Sequence, residues 1–182
     1  MIMNARIPVL GFAAFSGTGK TTLLCNLLPL LRSEGLRIGM VKHAHHSFEV
    51  DHPGKDSYEL RKAGASQMLV ASRQRWALMV ETASEAEPRL GDLLARLDQS
   101  ELDLVLVEGF KREQFPKIEL HRSTLGYPLL FPQDPEVIAI ATDAPLGVEA
   151  DLPVLDINVP WQIAQFVLAY ARQGPIGAEA AG

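Results

Sequence analysis

Apolar residues along this chain fall into short continuous runs that alternate with longer segments of helical spacing. The runs at residues 7–13, 102–107 and 137–141 favour strands that are buried on both faces. Leucines between Leu23 and Leu31, and again between Leu90 and Leu97, repeat at the spacing of an amphipathic helix. This alternation predicts an α/β fold in which helices flank a mostly parallel sheet.

Weaker patterns predict the remaining elements of the α/β fold. These are strands at residues 36–41 and 117–121, a short helix from Asp56 or Ser57 to Ala63, and a closing helix at residues 161–171.

A β-hairpin is predicted as an insertion into this fold. Residues 67–71 and 75–82 are rich in strand-forming side chains and flank a polar turn. Trp76, Leu78 and Val80 alternate, so one face of the hairpin is expected to be apolar and to need cover. A second copy of the chain could supply that cover, and so could the chain's own core.

The segment between the first strand and the first helix carries the most specific motif. It reads Ala-Phe-Ser-Gly-Thr-Gly-Lys-Thr from Ala14 to Thr21, which fits the P-loop pattern except that Ala14 replaces the first glycine. Gly17 and Gly19 allow backbone N–H groups to turn towards phosphate oxygens. Lys20 is expected at the β- and γ-phosphates and the Thr21 hydroxyl at Mg²⁺. The motif predicts a binder of nucleoside triphosphates.

Glu108 ends the apolar run at residues 102–107. In P-loop folds, the strand beside the P-loop strand commonly ends in an acid that faces Mg²⁺ or its water. Asp103, at the start of the same run, is the alternative acid. Ligands bind at the carboxyl ends of parallel strands, which favours Glu108 over Asp103. Glu108 is therefore predicted to be catalytic or linked to the metal, the other interpretation being a surface turn residue.

A cationic segment, Lys42-His43-Ala44-His45-His46, follows the second predicted strand. Histidines at this spacing could bind a transition metal, although adjacent ones point to opposite faces of an extended chain. His43 and His45 remain a possible pair of ligands. We favour a polar loop over the phosphates in which Lys42 and a histidine contact anions.

Composition narrows the class of protein. With 182 residues, 47% of them hydrophobic, we expect one domain at residues 1–172 and a disordered tail at 173–182. A net charge of −5 argues against a nucleic-acid partner. The single cysteine, Cys25, is expected to be buried on the first helix, and its lack of a partner suits the cytoplasm. No apolar run is long enough to span a membrane.

Several motifs in one order closely resemble the MobB family, the molybdopterin-guanine dinucleotide biosynthesis adapter proteins. The motifs are AAFSGTGKTT at 13–22, VKHAHH at 41–46, DHPGKDS at 51–57, AGA at 63–65 and VEGF at 107–110. Residues 70–78 and 141–146 add to the similarity, which covers roughly residues 7–167.

The resemblance implies a GTP-binding protein that is a homodimer and at most a slow, Mg²⁺-dependent GTPase. It also implies an adapter for the guanylyltransferase that completes the molybdenum cofactor. Asp56 and Glu108 are then expected at the metal or the attacking water, and Lys42 and His43 in the nucleotide cleft. The residues expected to hold the phosphates and Mg²⁺ are Ser16, Gly17, Thr18, Gly19, Lys20, Thr21 and Thr22.

Base preference has a weaker basis in the sequence, because the Asn-Lys-x-Asp guanine signature is missing from the chain. Asp143, which follows a predicted buried strand, is the nearest substitute and could accept from guanine N1 and N2. Two other function classes share the P-loop: a small-molecule kinase and a GTPase that delivers a metal.

Overall fold

The computed structural model describes residues 2–44, 48–82 and 86–174. Its contacts divide the chain into two compact units. The sheet unit comprises the residues up to His43 and from Pro88 onward, and the insertion comprises Ala44–Glu87. The single domain at residues 1–172 stays a prediction. Residues 175–182 of the predicted tail lie outside the described residues.

The described elements alternate between strands and helices, as the sequence pattern predicts. In chain order they are β1 (Val9–Ala14), α1 (Lys20–Ser33), β2 (Ile38–Lys42), α2 (Asp56–Lys62), β3 (Gln67–Ala71), β4 (Trp76–Val80), α3 (Leu90–Leu94), β5 (Leu104–Glu108), β6 (Lys117–His121), β7 (Val137–Thr142), β8 (Val154–Asp156) and α4 (Pro160–Arg172).

The sheet unit contains a six-stranded sheet in the order β2-β5-β1-β6-β7-β8. Each neighbouring pair in it is parallel, so the carboxyl ends of all its strands lie at one edge. The predicted mostly parallel sheet is confirmed. β8 was not predicted, because it has only three residues and Leu155 alone among them is buried.

Each face of the sheet is covered. On one face Leu10, Phe12 and Leu106 belong to a buried cluster with residues of α1 and α4. On the other face Val105 and Val107 pack with Leu90 and Leu94 of α3 and with two phenylalanines, Phe110 and Phe115. Cover on both faces explains why β5 is a continuous apolar run rather than an alternating one.

Helix α1 turns a leucine stripe towards the sheet, formed by Leu23, Leu24, Leu27 and Leu31. Cys25 is exposed, so the expectation that it is buried was wrong. At 3.6 residues per turn, position 25 lies nearly opposite the centre of that stripe. None of the helices in the described part of the chain is long and apolar enough to cross a bilayer.

The insertion consists of α2 and the antiparallel hairpin β3–β4. Leu69 lies opposite Leu78, and Ala71 lies opposite Trp76, so these side chains share one face of the hairpin. That face is exposed: Leu69 has 60% of its surface accessible, Trp76 68% and Leu78 46%. The predicted hairpin and its apolar face are confirmed.

Charged groups, rather than apolar ones, hold the interior of the insertion together. The guanidinium of Arg61 is buried and bonds to Asp51 at 2.6 Å, to Glu81 at 2.6 Å and to Glu49. These contacts tie α2 to the segment before it and to the end of β4. The hydrogen bond from Arg61 lowers the pKa of Asp51, and the carboxylates raise the pKa of Arg61.

Candidate functional site

The P-loop follows β1, the strand at the third position of the sheet, and leads directly into α1. Gly17 and Gly19 have φ of 81° and 89°, a conformation that favours glycine. Thr18 is buried, and its hydroxyl donates to the Phe15 carbonyl oxygen at 2.8 Å, which closes the loop on itself. The loop is therefore preorganised around the first turn of α1, whose N–H groups favour anions.

Glu108 lies within reach of two lysines at the phosphate end of the sheet. Its carboxylate is 3.7 Å from Lys20 Nζ and 3.4 Å from Lys42 Nζ. The strand order explains this arrangement, because β5 lies between β1 and β2, and Glu108 pairs in register with both Phe12 and Lys42. Two cations and one carboxylate at this position give a surface that attracts phosphate.

A cavity of about 370 Å³ opens over this group. It is lined by the P-loop residues from Phe15 to Thr22 and by Glu108. Thr21 and Glu108 supply a hydroxyl and a carboxylate to the same cavity, and oxygen donors of this kind suit Mg²⁺, which also retains water ligands. The donors present in the cavity thus fit the predicted ion.

Gly109 and His43 pack too closely for a side chain at position 109. A Cβ on Gly109 would lie 2.6 Å from the Cβ of His43, and its φ of 99° also favours glycine. The His43 N–H donates to the Glu108 carbonyl oxygen at 2.8 Å, and the imidazole stacks on Phe110 with ring centres 4.8 Å apart. His43 thus supports the Glu108 backbone, while its predicted place in the nucleotide cleft stays a prediction.

Lys111 is a further cation of this region that the sequence reasoning missed. Its ammonium is 5.3 Å from the centre of the Phe15 ring, and Phe15 stacks on Tyr127 at 4.5 Å. Burial, and then the charge of Lys20, hold the pKa of Lys111 below its usual value. Its position three residues after Glu108 could have predicted this, because the turn that follows β5 faces the P-loop.

Asp56 belongs to the insertion, whereas Lys42 and His43 belong to the sheet unit. Asp56 is the first residue of α2, and its predicted role at the metal stays a prediction. His45 and His46 lie outside the described residues. Within the described ranges, no group of three His, Cys, Asp or Glu side chains is placed to hold a metal ion.

Asp143 follows β7 and is already engaged. Its carboxylate accepts from the Ser123 N–H at 2.9 Å and from Arg122 at 3.4 Å. The Ser123 N–H is the main reason that the pKa of Asp143 lies below its usual value. The role of Asp143 as an acceptor for guanine stays a prediction.

Comparison with known families decides between the possible classes of P-loop protein. A family model described as molybdopterin guanine dinucleotide synthesis protein B matches residues 9–143. The chain belongs to this family. Membership confirms the predicted place in molybdopterin guanine dinucleotide biosynthesis and favours it over a kinase or a metal-delivery GTPase.

Curated relatives of the MobB family match over most of their length. The chain is 54% identical to the molybdopterin-guanine dinucleotide biosynthesis adapter protein of Escherichia coli, over 95% of this chain and 98% of the relative. It is 46% identical to the adapter protein of Haemophilus influenzae, over 92% of this chain and 91% of that relative.

Solved MobB structures confirm the fold. The crystal structure of Bacillus subtilis MobB superposes with a TM-score of 0.69 at 25% identity, covering 90% of this chain and 98% of that one. The MobB homologue from Bacillus stearothermophilus gives a TM-score of 0.66 at 26% identity, with 94% and 99% covered.

Proposed function

We propose that this protein is a cytoplasmic, GTP-binding adapter that assists the guanylyltransferase of molybdenum cofactor biosynthesis. The observation that carries the proposal is the phosphate cavity of a MobB-family chain, in which the P-loop, Lys20 and Glu108 converge. The name of the Escherichia coli relative, an adapter protein, supports an assisting role rather than catalysis of the guanylyl transfer.

Nucleotide binding uses groups that the fold has already positioned. The P-loop N–H groups and Lys20 hold the phosphates, while Lys42 and Lys111 add positive charge beside them. Thr21 and Glu108 would hold Mg²⁺, which neutralises phosphate charge when bound, and Asp56 is proposed at the same ion or its water. Phosphates that bind Lys20 weaken its attraction to Glu108, so the carboxylate becomes available to Mg²⁺ and the water ligands of that ion.

Hydrolysis is proposed to be slow. Fast GTPases orient the attacking water with a dedicated residue and add an arginine finger to stabilise the charge of the transition state. In this chain the two residues after Glu108 are Gly109, which has no side chain, and Phe110, whose ring has no polar group to orient water. A slow GTPase suits an adapter, because the GTP-bound state lasts long enough to bind a partner.

The protein is further proposed to form a homodimer through the β3–β4 hairpin. Its face with Leu69, Trp76 and Leu78 is apolar and exposed, and a lone two-stranded ribbon is marginally stable in water. Pairing with the same face of a second copy would bury these side chains in a two-fold symmetric contact.

The test of nucleotide binding is Lys20→Ala, measured by calorimetric titration with GTP. Loss of one charged phosphate contact should weaken GTP by about ten- to a hundredfold, because such a contact contributes about 1.5–3 kcal/mol. Arg96→Ala, which removes an exposed cation outside the P-loop, is the matched control and should bind normally. Equal GTP affinity in a folded Lys20→Ala protein would refute the phosphate site.

The adapter role is tested by titrating the protein with a molybdopterin guanylyltransferase in the presence of GTP or GDP. Binding that is tighter with GTP is the expected result, and Lys20→Ala should remove the difference between the nucleotides. Equal binding with GTP, with GDP and without nucleotide would contradict a nucleotide-dependent adapter.

A further inference from the structure

The three strands on one side of the P-loop strand, β6, β7 and β8, end beside one another, and Arg122 joins those ends. Arg122 follows β6, Asp143 follows β7, and Asn158 lies two residues beyond β8. The guanidinium donates to the Asn158 side-chain oxygen at 3.0 Å, to Asp143 at 3.4 Å and to the Thr18 carbonyl oxygen at 3.2 Å. One side chain therefore contacts the ends of two strands and the P-loop.

Arg122 also lines a second cavity, of about 310 Å³. Gly19 and Thr22 line this cavity and the phosphate cavity alike, so the two lie beside each other at the start of α1. Asn158 and Pro160 also line it. A nucleotide whose phosphates lie in the first cavity would place its base and sugar in the second.

Asp143, the acid predicted to read guanine, already binds protein donors. Both carboxylate oxygens of Asp143 already accept hydrogen bonds, one from the Ser123 N–H and the other from Arg122. The Arg122 bonds to protein use Nε and Nη1. Among the described residues, Nη2 has no hydrogen-bond partner, so its N–H groups are available to a ligand.

We propose that Arg122 selects guanine by donating to its O6 and N7. The proposal rests on the proposed binding of GTP, and it gives base selection to an arginine in place of an aspartate. Guanine presents two adjacent acceptors at this edge, whereas adenine presents N7 beside a donating amino group. A guanidinium favours the first pattern and is mismatched with the second.

Base analogues test the proposal on the unaltered protein, by competition against a fluorescent GTP with Mg²⁺ present. ITP keeps O6 and N7 and lacks only the 2-amino group, so it should bind within about threefold of GTP, since it loses no contact with Arg122. 7-Deaza-GTP lacks the N7 acceptor and should bind about tenfold or more weakly. If 7-deaza-GTP matches GTP while ITP is weak, an acceptor such as Asp143 reads N1 and N2, and the proposal is overturned.

Variants of Arg122 test the same point from the protein side. Arg122→Met should weaken GTP by about 5- to 150-fold more than it weakens ATP, because it removes the donors for O6 and N7, whereas loss of the bond to Thr18 affects both nucleotides alike. Arg122→Lys should restore part of the preference, and Arg32→Met, which changes an exposed arginine of α1, should behave like the parent. The analogue series needs no variant, so it decides the question even if Arg122→Met does not fold.

Failure of this inference can be separated from failure of the proposed function. A parent protein that does not bind GTP, or binds ATP equally well, would remove the GTP-binding function itself. A parent that prefers GTP, combined with an Arg122→Met variant that loses GTP and ATP equally, would leave the function intact. Arg122 would then only support the P-loop through Thr18, and the base-reading role would be overturned.

Discussion

The two units use apolar strands in opposite ways. In β5 of the sheet unit, Leu104, Val105 and Leu106 are all fully buried, whereas in the hairpin of the insertion Leu69 and Trp76 are mostly exposed. Parallel strands are connected by crossover segments that return over the sheet, so the connections themselves supply cover. A hairpin needs only a short turn, which covers neither face. Similar side chains therefore form a core in one unit and an open surface in the other.

The largest expected effect contrasts one leucine from each unit. Leu106→Ala should lower the free energy of unfolding by about 2–5 kcal/mol, because it leaves a cavity in a packed core. Leu69→Ala, the matched change on the hairpin, should cost less than about 0.5 kcal/mol in the monomer. Urea denaturation at low protein concentration measures both, and equal costs would erase the contrast between the units.

Charge on the hairpin face is the next test. Replacing Trp76 with Glu and Leu78 with Lys should convert the proposed dimer to a monomer, because large buried side chains at an interface each contribute about 2 kcal/mol or more. For the two replacements together, about 4 kcal/mol, the dissociation constant of the dimer should rise by about 700-fold. Light scattering measures the mass, and a folded variant that stays dimeric would rule out this interface.

A smaller effect, on the rate of GTP hydrolysis, is expected at Glu108 in the phosphate cavity of the sheet unit. Glu108→Gln should slow GTP hydrolysis by about tenfold, the loss of one charged contact, while Mg²⁺-free binding stays equal or tightens. Binding is spared because the carboxylate and the phosphates both attract Lys20. Glu101→Gln, before the opposite end of β5, is the control for phosphate release. Equal release rates in the two variants would refute the role of Glu108.

The smallest effect concerns acid and the insertion. Arg61 lowers the pKa of Asp51, so this pair stabilises the fold above the ordinary aspartate pKa, and the contribution is lost as pH falls below about 4. The chain has two tryptophans, Trp76 in the insertion and Trp161 in the sheet unit, so single-tryptophan variants report each unit by fluorescence. Asp51→Asn should reduce the change in Trp76 fluorescence as the pH falls below about 4 and leave the change in Trp161 fluorescence as it is in the parent. An unaltered change at Trp76 would contradict a stabilising role for the pair of Asp51 and Arg61.

The sequence predicted the elements whose pattern is local. The P-loop and the run ending at Glu108 carry their own spacing, and the structure places both at the same cavity. The hairpin was equally readable, since Trp76, Leu78 and Val80 alternate within one strand. The exposure of Cys25 could not be predicted from the leucines next to it in the sequence. Those leucines face the sheet, whereas Cys25 lies on the solvent side of the helix.

The sequence could not predict contacts that depend on which strands lie next to each other in the sheet. Arg122 contacts Thr18 and Asn158, residues far away in the chain that only the strand order brings together. The engagement of Asp143 by Ser123 has the same origin. β8 is too short for any periodicity, yet it carries Asn158 to the second cavity.

The position of β1 in the sheet also determines the order in which the chain can fold. Val9 pairs with Val105, and Gly11 pairs with Lys117. The two strands next to the P-loop strand, β5 and β6, are therefore synthesised long after it. Contacts between residues so distant in sequence slow folding, and uncovered apolar surface promotes aggregation in the meantime. On the ribosome, β1 and the leucine stripe of α1 must wait, unpaired, until the whole insertion has been synthesised. The phosphate site therefore exists only after β5 has emerged.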